Sequence, residues 1–168
     1  MAENKGLVIV TDLRTQEARD AIDYLRAEDY DVRTVPDNVV LWDEASLTAY
    51  AQTLDMPICG VIHPAPPRIL GGVEQATEED WAKARDEGPM AAWCVTKVLG
   101  GVMRRQGSGA LIYLSSIHAE KPVGKGFLYS LGCGAVQMLS REVWQEYGPD
   151  GVNSLCVERG VTAADPES

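Results

Sequence analysis

Positive charge is in short supply in this chain. Lys and Arg number 15 against 25 Asp and Glu, a formal net charge of -10. That balance excludes the basic surface a phosphate backbone requires, so no nucleic-acid partner is expected. Imidazoles are scarcer still: only His63 and His118 are present, neither set beside cysteines or carboxylates at zinc-site spacing, and no metal site is expected. Cys59, Cys94, Cys133 and Cys156 form no C-x-x-C pair, in a chain large enough to bury a core without disulfides, and read as buried thiols. No window approaches the roughly 18 uninterrupted apolar residues of a membrane span. The start, MAENKG, lacks the basic-then-apolar pattern of a secretion signal. A soluble, cytoplasmic protein of one domain, without a membrane partner, is the expectation.

What is present is an alternation of short apolar runs with amphipathic stretches. GLVIV (6–10) suits a strand buried on both faces, a helical pattern follows from about Thr15 to Ala27, and YDVRTV (30–35) reads as a second strand. After the turn residues Pro36, Asp37 and Asn38, VVLW is a candidate short extra strand, and 43–54 carries a second helical pattern. ICGVIH (58–63), ALIYL (110–114) and VNSLCV (152–157) complete the strands. Two long helices are expected, one from Thr77 to about Arg105, kinked or displaced by Pro89, and one over 127–147. Such alternation predicts an α/β fold: a doubly wound parallel sheet in three αβα layers, Rossmann-like, over residues 1–168.

The segments EEDWAKARDEGPMAAWCVTKVLGGVMRRQGSGALIYLSS and YSLGCGAVQMLSREVWQEYGPDGVNSL resemble the short-chain dehydrogenase/reductase family, the first its central helix and the strand leading to its catalytic serine, the second the helix carrying its Y-x-x-x-K motif. By that resemblance Ser116 takes the catalytic serine position and Tyr129 the tyrosine position. The remaining positions depart from the pattern. The lysine position is Cys133 and the helix asparagine position is Gly88. The glycine-rich turn T-G-x-x-x-G-x-G falls on Thr11 to Ala18, keeping Thr11 and losing every glycine, with Asp12 at the first of them. N-N-A-G reads His63-Pro64-Ala65-Pro66, the late P-G pair reads Val157-Glu158, and the family's C-terminal substrate lobe is expected to be missing.

A dinucleotide's diphosphate binds where glycines let backbone N–H groups reach it at a helix N-terminus. Thr11, Asp12 and Ala65 are the remaining candidates for cofactor contact, and Asp12 would repel the anion and cap the helix itself. A tyrosine with a pKa of about 10 needs a neighbouring cation to act near neutrality. Cys133 offers none, and Lys125 stands in a loop. Ser116 and Tyr129 therefore read as remnants, and no cofactor is expected. The expectation is a non-catalytic relative that pairs its two long helices with a second copy or with a related reductase. The alternatives are an NAD or NADP-dependent carbonyl reductase with an altered proton relay, and a small-molecule binding module using the cleft at the strand C-termini.

Overall fold

The computed structural model describes residues 5–11, 16–122 and 124–160. Five strands, β1 (Leu7–Val10), β2 (Asp31–Thr34), β3 (Ile58–His63), β4 (Gly109–Ser116) and β5 (Val152–Arg159), form one sheet in the order β2-β1-β3-β4-β5. Every pairing is parallel. Parallel neighbours need crossovers, and the crossovers put helices on the sheet's faces, which is why the central strands are apolar throughout rather than alternating. Residues Leu7 to Val10 are all buried.

The helices are α1 (Gln16–Ala27), α2 (Glu44–Ala51), α3 (Glu78–Arg85), α4 (Ala91–Val95), α5 (Gly101–Gln106) and α6 (Phe127–Tyr147). Helices α3 to α5 are one long rod broken by two π-helical turns, Asp86–Met90 and Thr96–Gly100. Pro89 has no N–H and its ring crowds the preceding turn. Gly88 departs from helical geometry just before it, and the Ala91 N–H reaches the Asp86 carbonyl. The expected kink is thus a widened turn. Thr77 caps α3 reciprocally with Asp80, the arrangement of a capping box.

VVLW is not a strand. Residues 37–42 form a turn, from which Val39 and Leu41 pack partly against the main core; their apolar character reflects that contact and not a place in a ladder. The larger core, on the side of α4, α5 and α6, gathers Leu7, Ile9, Leu47, Leu99, Met103, Leu111, Tyr113 and Val136, and a smaller cluster of Val8, Val10, Ile22 and Val32 lies under α1.

Leu99 is 0% exposed and Leu155 is 55% exposed. Leu99→Ala should cost about 2–5 kcal/mol in urea unfolding, by lost burial plus a cavity, whereas Leu155→Ala should stay within about 0.5 kcal/mol.

Candidate active site

Strand β4 ends on two buried serines that do different work. The Ser115 hydroxyl donates to the Cys133 carbonyl of α6 at 3.2 Å, tying helix to strand. The Ser116 hydroxyl accepts from the His118 N–H at 3.3 Å and lies close enough to the Tyr129 hydroxyl to favour its phenolate. Ser116 and Tyr129 therefore meet at the C-terminal edge of the sheet. The His118 ring stands edge-on to the Tyr129 ring, centroids 5.9 Å apart.

One helical turn beyond Tyr129, Cys133 is fully buried, and its thiol lies beside the Tyr129 and Ser115 hydroxyls. The electrostatic result is adverse to proton transfer. Burial pushes the Tyr129 phenol up, Cys133 adds to that rise, and the Ser116 hydrogen bond and the Arg159 charge offset only part of it. Burial likewise raises the Cys133 thiol, so it remains neutral near pH 7. Lys125 lines the same cleft as Tyr129 from the loop entering α6.

Gly88, at the asparagine position, has a packing role. A Cβ placed on it would lie 3.5 Å from Pro66, and one placed on Gly132 of α6 would lie 3.0 Å from the same proline ring. Pro66 is thus wedged between the long rod and α6, a contact that sequence reading missed because its three members are remote in the chain. Gln137 was also missed. It continues the 129, 133, 137 face of α6, is nearly buried, and donates to the carboxylates of Glu120 and Glu158. Its signal was a polar residue at helical spacing from Tyr129 and Cys133 on an otherwise apolar face.

A second cleft, of about 280 Å³, opens over the ends of β1 and β3 and is lined by Thr11, Asp37, Trp42, His63, Pro64 and Glu87, among others. His63 bonds across the sheet, its Nδ1 lying 3.0 Å from the Thr11 hydroxyl. Ala65 is half-buried and lines neither cleft. Asp12 lies outside the described residues.

The family model for short chain dehydrogenases matches residues 1–167. This chain belongs to the short-chain dehydrogenase family. Solved structures agree on the fold. An NAD+-bound xylitol dehydrogenase superposes with a TM-score of 0.79 at 16% identity, covering 94% of this chain and 70% of that one. A candidate NAD(P)-dependent gluconate 5-dehydrogenase from Beutenbergia cavernae, with NADP bound at low occupancy, gives 0.77 at 19%, covering 97% and 78%. A further small-chain dehydrogenase gives 0.77 at 18%, covering 92% and 82%. No curated protein matches the chain.

Family membership implies a dinucleotide, and the turn that would meet its diphosphate, residues 12–15, lies outside the described residues. The cleft over β1 and β3 presents two carboxylates, Asp37 and Glu87, and no Lys or Arg among its described lining residues. Asp37 could accept from ribose hydroxyls.

The Tyr129 phenol should stay protonated beyond the ordinary tyrosine pKa of about 10, and Ser116→Ala should move it higher still by removing a favourable hydrogen bond. Ultraviolet difference titration of wild type, Ser116→Ala and Tyr129→Phe reads both shifts; a phenol ionising near neutrality would contradict this account of the site.

Proposed function

We propose that this chain is a short-chain dehydrogenase relative that does not transfer hydride and acts by association of its long helices with a second copy or a related reductase. The carrying observation is the buried, neutral Cys133 one helical turn from Tyr129, where proton transfer near neutrality requires a cation. Bringing a phenol from about 10 to near 7 takes about 4 kcal/mol of preferential phenolate stabilisation. Here burial and the thiol act in the opposite direction. The acidic lining of the cleft over β1 and β3 supports the same reading.

Association is supported by apolar side chains that the fold leaves in solvent. Trp93 on α4 is 41% exposed, and Met138 and Leu131 on α6 are each 52% exposed. Trp81 and Trp144 extend the apolar character of the same two helices. Patches of this kind mark contact surfaces more often than chance exposure. A second reading, an NAD(P)-dependent carbonyl reductase, draws on the nicotinamide cofactors bound in two of the structural neighbours and on Asp37 as a ribose partner.

The two readings separate by experiment. Fluorescence titration with NADH and NADPH should give no saturable binding, and a panel of ketones and quinones no turnover. Cys133→Lys alone should restore neither. Sedimentation should give a dimer, or a complex with a related reductase, that Trp93→Glu with Met138→Glu dissociates. Cofactor-dependent turnover by the unmodified protein would overturn the non-catalytic reading, and a monomer indifferent to both substitutions and without a reductase partner would overturn association.

A further inference from the structure

The two outer strands of the sheet are finished differently. A bare strand edge offers unpaired N–H and C=O groups to any other strand, so proteins shorten such edges or place charge on them. The β2 edge has both devices: it is four residues long, and Arg33 on it pairs with Asp31 at 2.9 Å and with Asp55 at 2.8 Å. The β5 edge has neither over most of its length. It runs eight residues, pairs with β4 from Gly109–Val152 to Ser116–Arg159 without a bulge, and carries no proline and no charge before Glu158. Among the described residues no strand pairs with its outer side. We propose that this edge is a docking surface for the β5 of a second copy, the two strands running antiparallel about a two-fold axis.

The side chains along the edge are those of a contact and not of a solvated rim. Leu155 and Val157 on the strand and Trp144 on the neighbouring flank of α6 are all about half exposed. On the α6 side a groove of about 470 Å³ follows the edge, lined among others by Arg141, Trp144, Ser154, Cys156 and Glu158. Alternation sets the register. Antiparallel neighbours in one sheet place residues of the same face opposite each other, so the two-fold axis passes through a residue. Centred on Cys156, the pairing sets Leu155 opposite Val157 of the second copy and Ser154 opposite Glu158. Centred on Leu155, it would set the fully buried Val152 opposite the Glu158 charge, which disfavours that register.

Charge favours a second copy over an arbitrary strand. Gln137 donates to Glu158, and Ser140 shares a hydrogen bond with Ser154, so α6 runs opposite to β5. Arg141, one residue beyond Ser140, therefore stands nearer the start of β5 than Glu158 does. A two-fold axis normal to the sheet reverses that order in the neighbour and brings the cation of each groove toward the acid of the other. The Glu158 carboxylate takes the Gln137 amide on one oxygen and offers the second to a guanidinium. The match is self-complementary, as an isologous contact requires. One strand and one helix flank make a contact at the small end of specific interfaces, below about 1,200 Å² in total, so the association is weak and exchanging. It goes beyond the helix pairing proposed above and uses other residues: that pairing rests on Trp93, Leu131 and Met138, and this one on the flank of α6 that borders the β5 groove.

The test uses the full chain carrying Trp93→Glu and Met138→Glu, in which helix pairing contributes nothing. Alternate backbone amides of residues 153–158 should exchange freely in dilute solution and gain protection as the concentration rises toward roughly millimolar, with amide shifts that saturate along the same strand. Adding Leu155→Lys and Val157→Lys sets like charges opposite each other and should weaken the association at least tenfold. Both sites are about half exposed, so a dispersed amide spectrum should persist. Charge tests the register independently. In that background Arg141→Glu and Glu158→Arg should each associate about tenfold more weakly, and an equimolar mixture of the two should recover the lost affinity, because every groove then meets its opposite. Outer amides already protected in dilute solution, a spectrum independent of concentration, shifts indifferent to the lysines, or a mixture no tighter than either variant alone would overturn the proposal. None of these outcomes bears on helix pairing, which is read in the chain without the Trp93 and Met138 substitutions.

Discussion

Strand β4 is hydrogen-bonded along both edges, to β3 through residues 110–113 and to β5 along its whole length. A strand held on both sides cannot slip without inverting every side chain it carries. Its terminal pair, Ser115 and Ser116, is therefore delivered to one fixed place, one serine anchoring the α6 backbone and the other meeting Tyr129. The positions of α6, Cys133 and Gln137 relative to the sheet follow from that anchor. Pro66, seated against Gly88 and Gly132, then fixes the long rod against the same helix. The meeting of Ser116 and Tyr129 is thus part of the geometry of the core.

That overlap extends to the neighbouring positions. Ser115 and Ser116 are buried at the strand end, and Tyr129 is buried against His118. Cys133 places a neutral thiol in the core, and Gly88 a bare backbone against Pro66. Among the described residues, acids line the cleft over β1 and β3 and cations the one beside the start of α6.

The five strands were legible because strands buried on both faces announce themselves as unbroken apolar runs, and 58–63 matched β3 residue for residue. The 127–147 helix was equally clear from its spacing. VVLW misled because Val39 and Leu41 bury apolar surface from a turn, and a short run of four apolar residues does not distinguish that from a ladder. At the site, the resemblance placed Ser116, Tyr129 and Cys133 together, and the fold brings the three side chains to one end of the sheet. The Pro66 wedge and the two clefts were not legible, since each is made by chain segments that meet only in space. His63 illustrates the same limit: its partner Thr11 lies on another strand, and only the parallel β1–β3 pairing brings them together.

The two π-helical turns in the rod have a consequence for how this helix can change over time. Each turn holds one residue more than an α-helical turn, so it behaves as an absorbed insertion. Removing a single residue from Asp86–Met90 would restore ordinary winding and leave the faces on either side near their present angle. Trp81 and Lys83 would keep their alignment with Trp93 and Leu99. The same deletion in an ordinary turn of the rod would swing one side by about 100° against the other, so the two wide turns are the places where this helix can lose a residue and keep its faces.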